Sequence, residues 1–535
     1  MSHGMIRIEI RTRTETRTVY AAPGLTAWDA VQRSGLWPAG DCGGRGICGK
    51  CRVKTLDGSR ITAQEAELLT EAERNQGIRL ACSCRLENDA VMELPENRAG
   101  VYKLETTRRR WQGRIASPEA EILGLERPLG VALDIGTTTI AALLVDLTSG
   151  EILADRGTAN SQGALGRDVM ARISYAAEND RGLQMLQSMV LRDIRNLLTG
   201  LCDEAGAATE QLAAVTVVGN PVMLHLFMGR SPETLGRSPY QGLFRTAQTI
   251  EPAWLGLPAH ERGRVWVLPQ VGHFLGADIV GCLLALEGSM SDQALVLDIG
   301  TNGEMILKTK DRLLGTSAAA GPAFEGAGIS CGMTARDGAI DRVWLESGRI
   351  SFQVLGGGDA AGICGSGLID LLAVLLELKV LDPTGRINSE TMLESIRSTS
   401  RGTMFVLTET ADGSQIGLTQ QDVRELQLAK GALRAGVDTL LEEAGILPEM
   451  IEKVFVAGAF GNHLNPVSLL QTGMLPRFEL ESIINAGNAA VEGALAALLS
   501  LSARNRATEL AQSIESIQLA NRSDFSAVFI NSLNF

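Results

Sequence analysis

The sequence contains no apolar run long enough to cross a membrane. Its most apolar helical stretch, residues 368–381, is short and includes Asp370, Glu377 and Lys379, whereas a membrane-spanning helix needs about 20 predominantly apolar residues. The first residues also lack the apolar segment of a secretory signal. We therefore expect a cytoplasmic protein that has no membrane partner.

The chain also lacks an excess of positive charge. Its 49 lysines and arginines are outnumbered by 62 aspartates and glutamates, and the formal net charge is −13. Domains that bind nucleic acids are typically basic, because they neutralise phosphate groups, so we do not expect nucleic acid as a partner. The one local basic run, residues 108–110, is interpreted as part of a solvated linker.

Cysteine is scarce, with nine in 535 residues, and five of the nine fall between Cys42 and Cys84. A secreted domain stabilised by disulfides would carry more cysteines in a shorter chain. Clustered cysteines in a chain without a secretory signal instead favour metal ligands. With 45% hydrophobic residues and about 100–200 residues per domain, the chain is expected to form several cores.

The clustered cysteines follow the pattern C-x5-C-x2-C, with a more distant fourth cysteine. This pattern is typical of a [2Fe–2S] ferredoxin, and the predicted iron ligands are Cys42, Cys48, Cys51 and Cys82. Glycines let the loop turn tightly around a cluster; they are Gly43, Gly44, Gly46 and Gly49. A zinc ribbon is the alternative, but zinc sites do not require this density of glycine.

The fourth ligand has two candidates. Cys82 and Cys84 are separated by one residue, so their side chains share a face if the segment is extended. Leu80-Ala81 resembles the pair of residues that precedes the fourth ligand in plant-type and related ferredoxins, which favours Cys82. An exchange between the two thiols stays open.

Residues 1–97 have the element pattern of a β-grasp ferredoxin domain. Residues 5–20 alternate between apolar and polar side chains, as expected for paired strands with one buried face. Thr26 is placed to cap a short helix, and a further strand follows Cys51. Residues 98–128 are predicted to be a linker.

From residue 129 onwards, buried strands alternate with long helices. The strand and turn that contain Asp134-Ile-Gly-Thr137 recur at Asp298-Ile-Gly-Thr301. An internal repeat of this kind indicates two similar α/β lobes, which we place at residues 129–290 and 291–535. The predicted fold is therefore multidomain, an α+β β-grasp ferredoxin domain followed by a two-lobed α/β unit.

The two repeated turns are candidates for a phosphate site. A glycine turn presents successive N–H groups to phosphate, and an aspartate at the end of a strand can hold Mg²⁺ and its waters. The predicted site residues are Asp134, Gly136, Thr137 and Thr138 in the first turn, and Asp298, Gly300, Thr301 and Asn302 in the second. Two such turns facing each other would enclose the phosphates of a nucleotide, so ATP and Mg²⁺ are the predicted cofactors.

Three acidic residues outside the turns are further candidates. Asp278 is predicted to position the attacking water or a water on Mg²⁺, although it could equally begin a helix. Glu325 is a predicted contact of the ribose or adenine. Glu304 follows the second turn on a strand and could face solvent. Cys202 and Cys282 lie on apolar helical stretches and are predicted to be core residues.

The paired turns resemble the phosphate motifs of the actin, Hsp70 and sugar-kinase superfamily, whose members are two-lobed ATPases and kinases. Residues 454–463, with Gly458 and Gly461, resemble its adenosine motif. Together with the N-terminal cluster domain, the chain resembles the reductive activators of corrinoid enzymes. Similar segments are Ala319–Ala327, Gly362–Asp370, Gly276–Ile279 and Asn488–Ala494. The resemblance covers essentially the whole chain.

This resemblance implies an ATP-hydrolysing metalloreductase that reactivates a corrinoid protein. Electrons from a cellular donor would pass through the [2Fe–2S] cluster and reduce inactive Co(II) to Co(I). The implied partners are a corrinoid protein of a methyltransferase system and an electron donor. Two other activities stay open: activation of a radical dehydratase, and phosphorylation of a small molecule by a kinase with an attached redox domain. The sequence also leaves open a homodimer.

Overall fold

The computed structural model describes residues 5–12, 15–34, 36, 44, 46, 49–55, 60–94, 115, 117, 119, 125–388, 390–391, 393–399, 402–410, 413–458 and 464–535. The predicted iron ligands Cys42 and Cys48 lie outside these ranges, as do Gly461 and most of the predicted linker. Within these ranges, no helix combines the length and apolar character that a membrane crossing requires.

The N-terminal region folds into a small sheet with short helices beside it. Its elements are β1 (Ile6–Arg11), β2 (Thr16–Ala21), β3 (Leu25–Thr26), α1 (Ala27–Arg33), β4 (Arg52–Thr55), α2 (Ala63–Leu68), α3 (Glu71–Asn75), β5 (Ile78–Leu80), β6 (Arg85–Leu86) and β7 (Ala90–Glu93). The main sheet has the order β2-β1-β7-β4-β5, and only its β1–β7 pair is parallel. This topology confirms the predicted β-grasp ferredoxin domain.

The alternating sequence explains the first hairpin of this domain. Ile6, Ile8 and Ile10 are buried in its core, because every second side chain of a strand points to the same face. Thr26 caps α1 as predicted, since its hydroxyl oxygen accepts a hydrogen bond of 3.1 Å from the N–H of Asp29. The helix that precedes the cysteine loop in sequence is thus held at its N-terminal end.

The middle region forms a six-stranded sheet with flanking helices. Its elements are β8 (Leu129–Ile135), β9 (Thr139–Asp146), β10 (Ile152–Ala159), α4 (Val169–Glu178), α5 (Gly182–Glu204), β11 (Leu212–Gly219), α6 (Pro221–Phe227), β12 (Gln248–Ile250), β13 (Arg264–Val267) and α7 (Ala277–Leu286). The strand order is β10-β9-β8-β11-β13-β12. The apolar periodicity between residues 183 and 201 corresponds to α5.

The C-terminal region contains a second six-stranded sheet and two smaller ones. Its elements are β14 (Ala294–Ile299), β15 (Gly303–Lys308), β16 (Leu313–Ala318), β17 (Ala339–Glu346), β18 (Arg349–Val354), β19 (Gly362–Ile363), α8 (Gly365–Glu377), β20 (Ile396–Thr399), β21 (Gly402–Glu409), β22 (Gln415–Thr419), α9 (Gln420–Ala444), β23 (Lys453–Ala457), α10 (Pro466–Gln471), β24 (Ile483–Gly487), α11 (Ala489–Leu499), α12 (Leu501–Ser513), β25 (Ile514–Ser516) and α13 (Phe525–Asn531). The large sheet has the order β24-β23-β14-β15-β16-β25.

The two large sheets repeat the same plan. In each, a first strand pairs antiparallel with the next strand along the chain and parallel with a later one: β8 with β9 and β11, and β14 with β15 and β23. Asp134 and Asp298 occupy the same place, the last residue but one of the first strand. This repeat confirms the two-lobed α/β architecture.

Helices α7 and α11 pack tightly between the two lobes. A methyl group on Gly493 of α11 would overlap the carbonyl oxygen of Gly281 of α7, so the close crossing requires glycine. Although α11 and α12 follow five of the six strands of the second sheet in sequence, they share the hydrophobic core of the first sheet. The predicted boundary at residues 290 and 291 stays a prediction, and packing continues across it.

Candidate functional site

The two repeated turns face each other between the lobes. The hydroxyl oxygens of Thr138 and Thr301 lie 3.1 Å apart although the residues are 163 positions apart in the chain. Both hydroxyls donate to the same carboxylate oxygen of Glu325, at 2.7 and 2.6 Å. The fold therefore brings together the two predicted phosphate turns, and Glu325 connects them.

Four carboxyl groups lie beside these turns. Asp134 and Asp298 lie next to the last residue of their strands and Asp278 lies in the first turn of α7. Glu304 pairs directly with Asp298 in the β14–β15 register. Asp278 and Glu304 are 9% and 5% exposed. The expectation that Glu304 could face solvent is therefore wrong, because cross-strand partners share one face of a sheet and this face is buried.

Burial raises the pKa of all four carboxyl groups, because the ionised form loses hydration. The pKa of Asp134 rises to about 7, with repulsion from Asp298 as a second cause, and that of Asp298 rises to about 6. Burial and then repulsion from neighbouring aspartates raise the pKa values of Asp278 and Glu304 well above their ordinary values. The site is thus a concentrated, partly protonated group of acids.

Two hydrogen bonds favour ionisation of the strand-end aspartates. The amide of Asn488, the residue that caps α11, donates to Asp134 at 3.1 Å. The thiol of Cys282, on α7, lies 3.5 Å from a carboxylate oxygen of Asp298. Cys282 is fully buried, which agrees with its predicted place in the core, and it also contacts the candidate site.

The donor set fits a hydrated divalent cation. Mg²⁺ usually keeps several waters and is held by one or two carboxylates together with substrate phosphates. Across the described ranges, no group of three or more histidine, cysteine or acidic side chains is arranged to hold a metal ion directly. Asp134 and Asp298 could therefore hold Mg²⁺ through water and phosphate oxygens.

The first turn is supported by residues that sequence reasoning missed. Asn160 donates to the carbonyl oxygen of Gly136 at 2.9 Å, and Asn220 donates to the hydroxyl oxygen of Thr137 at 3.0 Å. Arg172 is completely buried, and its guanidinium donates to the carbonyl oxygen of Thr137. Burial lowers the pKa of Arg172 to about 9. Asn220 directly follows a buried strand, which is a usable signal, whereas nothing local identifies Arg172.

The second turn is supported by its own backbone and by the start of the predicted adenosine motif. The N–H of Gly300 donates to the carbonyl oxygen of Asn302 at 2.9 Å. Gly458 has a φ of +123°, and a methyl group there would overlap the carbonyl oxygen of Ile299. Glycine at 458 thus lets the two segments lie in contact beside Asp298.

The described part of the cysteine loop fits an iron–sulfur cluster. The sulfur atoms of Cys51 and Cys82 lie 3.2 Å apart, and thiolates are the ligands of such clusters. Three loop glycines have positive φ, the conformation predicted for a tight turn; they are Gly44, Gly46 and Gly49. Cys84 is fully buried in the domain core.

We expect the acidic group to make the nucleotide-free, Mg²⁺-free protein less stable as the pH rises from about 4 to about 7. Folded Asp134 keeps its proton up to a pKa of about 7, whereas the unfolded residue loses it near its ordinary value of 3.8. Between these two pH values the folded state binds more protons than the unfolded state, so the free energy of unfolding falls as the pH rises.

Urea unfolding at several pH values would measure this effect as a difference between the protein and its Asp134→Asn variant. The difference in the free energy of unfolding should move in favour of the variant as the pH rises. A difference that stays constant from pH 4 to 7 would contradict the assignment.

Models of three protein regions match the chain. A 2Fe-2S iron-sulfur cluster binding domain matches residues 10–87, the RACo middle region matches residues 129–291, and the C-terminal domain of RACo, the ASKHA domain, matches residues 292–535. A solved structure described as a reductive activator for corrinoid,iron-sulfur protein is 30% identical, with a TM-score of 0.74. The match covers 99% of this chain and 98% of that one. The chain belongs to the family of reductive activators of corrinoid proteins.

Two curated relatives carry names of the same family. The corrinoid activation enzyme RamQ of Eubacterium limosum is 34% identical over 386 residues, which span 70% of this chain but only 65% of that protein. The [Co(II) methylated amine-specific corrinoid protein] reductase of Methanosarcina barkeri is 28% identical over 440 residues, 76% of this chain and 77% of the relative.

Membership in the family confirms the resemblance drawn from the sequence. The family regions support a [2Fe–2S] cluster in the N-terminal domain and ATP binding by the ASKHA domain, residues 292–535. They favour reductive activation over the two alternatives, activation of a radical dehydratase and phosphorylation of a small molecule. The individual site residues stay predictions.

Proposed function

We propose that this protein uses ATP hydrolysis to reduce the Co(II) form of a corrinoid protein to Co(I). The observation that carries the proposal is that one chain of this family contains both a cluster domain and a two-lobed ATPase. When bound, the cluster supplies one-electron transfer. The protein residues bind ATP, hold Mg²⁺ and set the geometry in which the electron is delivered.

Each part of the candidate site has a proposed role. Asp134 and Asp298 hold Mg²⁺ through water, and Asp278 positions the attacking water. The mutual repulsion of these buried acids supports a cation between them, because a cation favours their ionised forms. The proposed nucleotide ligands are Gly136, Thr137, Thr138, Gly300, Thr301, Asn302, Gly458 and Gly461.

Glu325 is also a proposed nucleotide contact. Its hydrogen bonds to Thr138 and Thr301 support a position beside the phosphates, whereas the sequence favoured the ribose or adenine. Phosphate oxygens accept hydrogen bonds from hydroxyls as a carboxylate does. ATP would therefore compete with Glu325 for the two threonines, which links nucleotide binding to the contact between the lobes.

ATP has a defined task in this reaction. Each tenfold shift in a one-electron equilibrium corresponds to about 59 mV, so a modest change in the corrinoid complex can make cobalt reducible. We propose that ATP favours a complex in which cobalt is easier to reduce, for example through altered axial ligation. A cellular electron donor and a cytoplasmic location complete the proposal, and a homodimer stays open.

The direct test is the conversion of Co(II) to Co(I), followed by absorbance, with a purified corrinoid protein, a chemical reductant and this protein. We expect conversion with MgATP and a stall when a non-hydrolysable analogue replaces ATP. The Asp134→Ala variant should stall in the same way. Equal conversion with ATP and with the analogue would overturn the coupling to hydrolysis.

A further inference from the structure

Helix α2 connects the two chain segments that carry the predicted iron ligands. The amide nitrogen of Gln64, in the first turn of α2, donates to the carbonyl oxygen of Gly46, which lies in the cysteine loop. The amide oxygen of the same side chain accepts a hydrogen bond of 2.6 Å from the hydroxyl of Ser83. Ser83 directly follows Cys82, so one side chain spans both halves of the cluster site.

The chemistry of the partners fixes the direction of these hydrogen bonds. A backbone carbonyl can only accept, so the NH₂ group of Gln64 must face Gly46 and its oxygen must face Ser83. The hydroxyl of Ser83 therefore gives its single proton to Gln64. Its oxygen lies 3.7 Å from the sulfur of Cys82, and the proton is directed away from that sulfur.

The neighbouring residue holds α2 against the strand that leads to Cys82. Glu65 is completely buried and accepts hydrogen bonds from the guanidinium of Arg79 at 2.9 and 2.8 Å. It also accepts one of 3.0 Å from the N–H of Leu80. Gln64 therefore projects from a helix whose position relative to Cys82 is fixed by buried, fully formed contacts.

We propose that Gln64 is a positioning residue that keeps the potential of the [2Fe–2S] cluster low by withholding the Ser83 hydroxyl from the Cys82 sulfur. Hydrogen bonds to ligating sulfurs stabilise the added negative charge of a reduced cluster and raise its potential. A low potential makes the cluster a stronger reductant. That benefit to Co(II) reduction rests on the proposed function, whereas the effect on the potential does not.

The test is a redox titration of the full cluster-loaded chain, monitored by EPR, without ATP or corrinoid protein. In Gln64→Ala the Ser83 hydroxyl is released to donate to sulfur, so the midpoint potential should rise. A tenfold shift in the reduction equilibrium would appear as about 59 mV. The double variant Gln64→Ala/Ser83→Ala should return to the original potential, and Ser83→Ala alone should stay close to it.

Three outcomes would overturn the proposal. The first is an unchanged or lower potential in Gln64→Ala, and the second is the same rise in the double variant. The third is a lower potential in Ser83→Ala, because that result would mean that the hydroxyl already donates to sulfur. If Gln64→Ala loses its cluster, Gln64→Leu is the second variant, because leucine fills the space of the side chain but accepts no hydrogen bond from Ser83; an unchanged potential there would overturn the proposal as well. Because corrinoid is absent, a failure here is distinct from a failure of the proposed function.

Discussion

The Asp278→Asn variant is expected to lose about 100-fold or more of the ATPase rate while the nucleotide-free protein becomes more stable. Asp278 is buried in the first turn of α7, and repulsion from Asp298 and Asp134 adds to the desolvation that raises its pKa. Asparagine can keep the oxygen that accepts 2.8 Å from the N–H of Ile279, but it cannot take a proton from water. Loss of a positioned acid–base group typically costs a factor of about 10²–10⁴.

The gain in stability has a distinct pH dependence. A buried aspartate must lose its proton as the pH rises, whereas an amide has none to lose, so the advantage of Asp278→Asn should be larger at pH 8 than at pH 5. With Mg²⁺ bound, the original protein should be more stable than Asp278→Asn, because a cation favours the ionised aspartate. Opposite changes in activity and stability are expected of residues selected for function.

ATPase assays with saturating MgATP and thermal unfolding of the nucleotide-free protein at both pH values would measure the two effects. Asp180→Asn, a change of the same charge at an exposed residue, is the matched control and should alter neither. Full ATPase activity in Asp278→Asn would show that Asp278 has no role in ATP hydrolysis. A loss of both activity and stability would indicate a structural role instead.

The residues found from the sequence are those with a local signal. Asp134 and Asp298 each lie near the end of an apolar strand and precede a glycine turn, so the same pattern occurs twice. Glu304 was misjudged because β15 is buried on both faces from Gly303 to Leu307, whereas a carboxylate in a strand ordinarily faces solvent. Arg172 and Asn160 support the first turn from other elements, so only the folded chain shows that they contact it.

The helices themselves could be predicted from the sequence, whereas their packing partners could not. The periodicity of residues 183–201 predicts a helix, and the structure has one at Gly182–Glu204. Periodicity cannot tell what the apolar face of a helix packs against. The crossing of α11 on α7 depends on Gly281 and Gly493, which are far apart in sequence, and neither position alone predicts a helix crossing.

Replacing Cys82 with serine is expected to remove or strongly destabilise the cluster, whereas the same change at Cys84 should leave it in place. The sulfur of Cys82 lies 3.2 Å from that of the predicted ligand Cys51. Cys84 is completely buried in the domain core. Its N–H donates to the carbonyl oxygen of Leu80 and its own carbonyl accepts from the N–H of Ala27, both at 2.8 Å. These backbone contacts hold Cys84 in the core, while Cys82 faces Cys51.

Iron content and the EPR signal of the reduced protein would measure the effect, and the ATPase rate would show that the lobes stay folded in every variant. Because a buried hydroxyl carries a desolvation cost, Cys84→Ala is the better control for the core position and should also keep the cluster. A Cys84→Ser protein without iron, next to a Cys82→Ser protein that retains it, would assign Cys84 as the ligand. Loss of iron in both serine variants would mean that the cluster also depends on the packing of Cys84. The Cys84→Ala variant separates packing from ligation, because alanine preserves an apolar contact but offers no ligand.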